Sequence, residues 1–296
     1  MVEVARIGSV VASLGECPVW NESDQRLYWE DINARVIHST DPDTEITESR
    51  ELPGRPGSFV FSQVPGRLLV AMESALEWFE WETGELTHFV DVEEGMPGNR
   101  LNDGRCDHAG RYVVGTMHSD PEAGRFDGRL YSIDAQGRVE TLEENVGIPN
   151  CTVFDPHLGR MYWADTKRAT IWQWDYDLET GTRRNRSVFF DYRAQPAAHG
   201  LPDGGCLDAD GCLWSASVYG WSLTRITPDG VIDRIIELPV AMPTMPAFGG
   251  SDLKTLYVTS IDGGERNESR SAGVPAGALL AVDVGVQGVV EPGFAA

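Results

Sequence analysis

Residues 105–117 read RCDHAGRYVVGTM and residues 206–218 read CLDADGCLWSASV. In each, a short strand pattern meets an Asp/Gly turn and returns as a second strand. The same unit recurs as CPVWNESDQRLYWEDI (17–32), FVFSQVPGRLLVAM (59–72), TVFDPHLGRMYWADT (152–166) and AFGGSDLKTLYVTSI (247–261). Aligned on the second strand, Tyr28, Leu69, Val113, Tyr162, Trp214 and Tyr257 form one column, with gaps of 41, 44, 49, 52 and 43 residues. Six units of that period, each with room for four short strands, predict an all-β, six-bladed β-propeller with four antiparallel strands per blade.

Each unit continues into two further strands around turns such as DPDT, AQG and DLETG. The sixth has a third strand, GALLAVDVG (277–285), and no fourth after it, whereas ARIGSVVAS (5–13) precedes the first unit. The N-terminal strand is therefore expected to complete the last blade, to remove an open edge and to contribute stability. The longest polar loop, GERNESRSAGVPAG (264–277), is expected to be exposed. Six blades use up the chain, so residues 1–296 read as a single propeller domain.

A net charge of −22 argues against a nucleic-acid partner, because phosphate binding wants excess Lys and Arg. It reads as a solubilising surface; a saline habitat or attraction of cations to the mouth are the alternatives. Cys17, Cys106, Cys151, Cys206 and Cys212 are odd in number and lack zinc spacing, so they are expected to be reduced and buried. The N-terminus lacks a signal-peptide pattern and no apolar run approaches membrane-spanning length. The expectation is a cytoplasmic protein without a membrane partner, and a monomer, since a closed propeller can stand alone.

Counting back four residues from the inner-strand anchors Trp20, Phe61, Cys106, Phe154, Leu207 and Phe248 reaches Glu16, Gly57, Asn102, Asn150, Asp203 and Thr244. In a propeller this register lies where the inner strands begin, at one mouth of the channel. Two carboxylates and two amides there call for a compensating charge, and their oxygens suit Ca²⁺, Mg²⁺, Mn²⁺, Fe²⁺ or Zn²⁺. Asn and Asp are also common before strands, so a set of turn residues is the alternative. Arg100 lies two residues before Asn102, a spacing that points both side chains the same way on an extended segment. Such a guanidinium suits an oxyanion or a polyhydroxylated substrate. His118 and Asp120 in GTMHSD, and His199 upstream of LPDGG, flank the same register. Trp29, Trp163 and Trp214 read as core. No GxSxG, HExxH or phosphate loop is present, which leaves metal-activated chemistry as the economical choice.

The segments LGECPVW (14–20), GNRLNDGRCDHAGRYVVGTM (98–117), WQWDYDLETGTRRNRSVF (172–189), LPDGGCLDADGCLW (201–214) and FGGSDLKTLYVTS (248–260) resemble the SMP-30/gluconolactonase/regucalcin-like sugar lactonase family over nearly the whole chain. The resemblance implies one divalent metal ion held by Glu16, Asn150 and Asp203, with Asp203 also catalytic. It implies substrate contacts at Arg100, Asn102 and Asp120; His118, His199 and Cys151 are candidates by position to support them, the histidines being otherwise satisfied loop residues. The implied reaction is hydrolysis of a sugar lactone to its aldonic acid in carbohydrate catabolism. A metal-dependent esterase or organophosphate hydrolase, or a non-catalytic calcium-binding propeller, are the competing readings. Where the family carries Gly after the metal-binding Asn, this chain has Cys151.

Overall fold

The computed structural model describes residues 3–263, 269–271 and 273–296. Residues 264–268 and 272 of the expected polar loop lie outside the described residues. The described chain forms six four-stranded antiparallel sheets, with three single-turn 3-10 helices as its only helical elements. This is the all-β architecture of a six-bladed β-propeller. By internal contacts the chain divides into two compact units, Met1–Glu51 with Phe190–Glu291, and Leu52–Phe189 with Pro292–Ala296.

The first unit contains blades one, five and six, whose first strands are Gly15–Asn21, Leu201–Leu207 and Pro243–Gly249. The strand Val4–Val11 pairs antiparallel with Ala278–Asp283, from Val4 opposite Val282 to Ile7 opposite Leu279, and so completes blade six as expected. The first strand of blade six packs against those of blades one and five. The second unit contains blades two, three and four, with first strands Ser58–Phe61, Asn99–Cys106 and Pro149–Asp155. There the first strand of blade three packs against those of blades two and four.

The Asp/Gly turns form for a local reason. Asp107 Oδ1 accepts from the N–H groups of Ala109 and Arg111, and Gly110 adopts φ 77°. Asp208 does the same for Asp210 and Cys212 around Gly211, and Asp134 for Gln136 and Arg138 around Gly137. The carboxylate mimics a backbone acceptor and glycine supplies the left-handed residue, so the hairpin is written in four or five consecutive residues. Between blades the core is apolar: Trp29, Trp163 and Trp214 are each at most 1% exposed, and all five cysteines are buried thiols outside any disulfide, as expected.

His38 is a buried titratable group in blade one. Its ring packs tilted against that of Trp29 at 4.3 Å and its Nδ1 lies 2.8 Å from Ser49 Oγ. Burial pushes the imidazole down from 6.5 to about 4. Between those values the unfolded chain binds the proton and the folded one does not, so stability rises with pH there and is lost as pH falls from 6.5 towards 4. At pH 4.5 this group is expected to remove about 2–3 kcal/mol relative to pH 7. Urea unfolding at both pH values checks it: His38→Gln should shrink the gap between them, and an unchanged gap would exclude His38 as its source.

Candidate functional site

The first strands are not regular at the register that the sequence singled out. Pairing with the second strand breaks between Glu16 and Val19, Leu101 and Gly104, Asn150 and Val153, Pro202 and Gly205, and Pro243 and Pro246. Glu16, Asn102, Asn150, Asp203 and Thr244 therefore lie at or within five equivalent β-bulges, which re-aim side chains and locally free them from the ladder. Blade two, which carries Gly57, pairs without a break. Two of the bulges place non-glycine residues in the left-handed region, Cys17 at φ 48° and Cys151 at φ 52°. The family's Gly at the Cys151 position thus has a conformational reason. Here the buried thiol takes the same backbone geometry.

In the first unit, Glu16, Thr244 and Asp203 lie on packed neighbouring strands. Glu16 Oε2 accepts from the Cys17 N–H at 3.2 Å. Asp203 is 7% exposed. A Cβ on the following Gly204 would lie 2.4 Å from Met245 Cγ, so the chain at Asp203 runs hard against blade six. Thr244, the member of the column that is neither acid, amide nor glycine, donates its Oγ1 hydrogen to Gly15 O at 2.5 Å and so fastens the residue before Glu16.

In the second unit the side chains form a connected series. Arg100 Nη1 donates to Asn102 Oδ1 at 2.8 Å and to Leu101 O at 2.9 Å. Asn102 Nδ2 donates to Asn150 Oδ1 at 3.1 Å and to Pro149 O at 2.9 Å. Asn150 Nδ2 donates to Thr166 Oγ1 at 2.9 Å. Each amide is thereby oriented by its partners, and Arg100, Asn102 and Asn150 are all buried. Asp103 Oδ2 accepts from the Thr152 N–H at 3.0 Å, tying blade three to the strand that carries Asn150. Burial pushes the Asp103 carboxyl up, against the pull of Arg105 and the Thr152 N–H.

Gly57 explains the missing polar member. A Cβ there would lie 2.3 Å from Leu101 O, so blade three occupies the space of a side chain. Blade two contributes Ser58 instead, whose Oγ donates to Asn102 O at 2.6 Å and lies 2.7 Å from Tyr112 OH. Thr166 was also missed. It belongs to a turn capped by Asp165, whose Oδ1 accepts from the Lys167 N–H, and a lone Thr beside a strand end carries no signal in sequence.

The remaining expected residues are peripheral to these contacts. Asp120 is exposed, and its Oδ1 caps the 3-10 turn Pro121–Ala123 through the Glu122 N–H at 2.9 Å. His118 Nδ1 lies 3.0 Å from Asp120 O, holding that turn to the strand end. His199 is exposed. Cys151 is fully buried. Among the described residues no three His, Cys, Asp or Glu side chains gather as a metal site. The expected set has only two such residues and an amide. Its chemistry, two carboxylates and one amide oxygen, fits a hard or borderline divalent cation.

Residues 14–262 match the family described as SMP-30/Gluconolactonase/LRE-like region. The chain is 34% identical to a 6-deoxy-6-sulfogluconolactonase of Pseudomonas putida, over 95% of each chain. It is 35% identical to the pentonolactonase XacC of Haloferax volcanii, over 97% of each. Among solved structures it is similar to a calcium-binding protein, regucalcin, from Agrobacterium tumefaciens, with a TM-score of 0.88 and 27% identity over 98% of this chain and 97% of that one.

Proposed function

The chain belongs to the SMP-30/gluconolactonase/LRE-like family, and from that premise we propose that it hydrolyses a sugar lactone to the corresponding aldonic acid with one divalent cation. The observation that supports this reading most is the set of shared register breaks, on which Glu16, Asn150 and Asp203 lie together with Asn102 and Thr244. The named activities of the two relatives support the substrate class, and a calcium-binding structural relative supports the cation.

In this reading Glu16, Asn150 and Asp203 hold the cation, which when bound supplies Lewis acidity. Asp203 accepts the proton of the attacking water and returns one to the leaving ring oxygen. Arg100 stabilises the oxyanion through its guanidinium charge. Both amide protons of Asn102 are engaged, so it offers a sugar hydroxyl only the second lone pair of Oδ1. Asp120, exposed and with one oxygen on the Glu122 N–H, offers the other to a hydroxyl. The reaction places the protein in carbohydrate breakdown, downstream of a sugar-oxidising step that makes a lactone.

A pH-indicator assay on a panel of five- and six-membered aldonolactones tests the reading. Chelator-treated protein should be inactive and should recover on one of Ca²⁺, Mg²⁺, Mn²⁺, Fe²⁺ or Zn²⁺. Undiminished turnover after chelation would exclude the cation, and no turnover on any lactone would exclude the substrate class in favour of an ester or organophosphate.

A further inference from the structure

Three of the turns that join second to third strands align residue by residue: Asp31–Arg35 in blade one, Asp165–Ala169 in blade four and Ser217–Trp221 in blade five. The last residue of each is left-handed, with φ of 61° at Arg35, 56° at Ala169 and 58° at Trp221. In the first two turns a buried aspartate organises the backbone, Asp31 Oδ1 accepting from Ala34 and Asp165 Oδ1 from Lys167. Blade five has Ser217 in that place and is organised differently. Two glycines interlock there: a Cβ on Gly200 would lie 2.4 Å from Val218 O, and one on Gly220 would lie 2.1 Å from His199 O.

The same turn carries a second left-handed residue, Tyr219 at φ 64°, where the aligned Asn33 and Lys167 are not left-handed. Asn or Gly meets such a position with little strain; a bulky aromatic does not. Trp221, equally strained, is repaid locally: it packs with Val218, Ala241 and Met242, and Arg270 stacks on it at 3.9 Å. Tyr219 is not. It is 61% exposed, and among the described residues its side chain has no hydrogen bond or ring contact. Strain kept without a packing return marks a side chain retained for what it meets from solution.

Its place says what that is. Val218 pairs with Leu201, two residues before Asp203, so the turn stands at the same end of blade five as the proposed catalytic carboxylate. We propose that Tyr219 is a substrate-positioning residue, an aromatic platform for the C–H face of a sugar lactone ring; the proposal rests on the lactone reading above. A pyranose or furanose ring has an apolar face beside its hydroxyl edge. A rigid ring projecting from a fixed turn covers that face at little entropic cost.

The test is steady-state kinetics of the metal-loaded enzyme on whichever aldonolactone it hydrolyses, for Tyr219→Ala, Tyr219→Asn and Tyr219→Phe. Alanine and asparagine are expected to raise KM about three- to tenfold with kcat little changed, and phenylalanine to keep KM near the parent value. Asparagine should also raise Tm by about 2 °C, because the left-handed strain is relieved. That separates the role from a structural one, in which KM would not worsen while stability improves. Unchanged KM in Tyr219→Ala and Tyr219→Asn, in an enzyme that does hydrolyse lactones, would overturn the proposal alone. A parent protein without lactone turnover would overturn the lactone reading and this proposal with it.

Discussion

Replacing Asp203 with Asn is expected to lower lactone hydrolysis at least about a hundredfold while leaving Tm within about 2 °C of the parent. The substitution keeps the size and shape of a side chain that is 7% exposed, beside a glycine whose neighbour leaves no room for a larger change. In the proposed mechanism it removes the charge that would draw a cation and the base that would take a proton from water. General-base catalysis alone contributes about 10²–10⁴-fold, which sets the floor of the expected loss. Two measurements on the same preparation check it, the initial rate on the preferred lactone and thermal unfolding in chelator. Near-parent turnover would remove Asp203 from the chemistry, and a fall in Tm of about 10 °C would make it a structural carboxylate instead.

The second large effect is on stability. Phe294→Ala is expected to cost about 3–5 kcal/mol, read as a lower urea midpoint with the slope unchanged. Phe294 is fully buried near the C-terminus of the chain. Its ring lies 5.7 Å from that of Trp78 and 5.8 Å from that of Phe89, in the cluster that includes Val60, Leu69, Leu101 and Tyr112. Its N–H donates to Phe61 O at 2.8 Å, and the next residue donates to Gly110 O at 3.1 Å. The segment Pro292–Ala296 is thus built into blades two and three, and truncating its one large side chain leaves a cavity that the surrounding sheets cannot close. A loss under about 1 kcal/mol would show that the tail lies on the core without belonging to it.

Leu101 is one of the neighbours of Phe294, and its carbonyl is the atom that excludes a side chain at Gly57. The same packing that the tail completes therefore holds the strand of Arg100 and Asn102 in place. In sequence Gly57 was a blank in the column, the tail an unassigned stretch, and Thr244 and Thr166 unremarkable threonines. Each matters through an atom far away along the chain: Leu101 O for Gly57, Phe61 O for Phe294, Gly15 O for Thr244, Asn150 Nδ2 for Thr166. No local pattern encodes such partners. Cys151 lies between the two cases. Its departure from glycine was visible in the sequence, whereas its left-handed φ of 52° was not.

The six sheets, their hairpins, the closing N-terminal strand and the column of oxygen-bearing residues are legible in the order of the amino acids. Strand alternation, Asp/Gly turns and repeat spacing act within a few residues or recur at a fixed period, so they survive translation into one dimension. It took the folded chain to show that the column sits on five β-bulges, that Asn102 spends both amide protons on its neighbours, that Asp120 caps an exposed turn, and that Tyr219 stands left-handed and 61% exposed beside the strand of Asp203. Those features depend on which backbone atoms of adjacent strands and blades come within van der Waals or hydrogen-bond reach, a distance set by packing that no single segment contains.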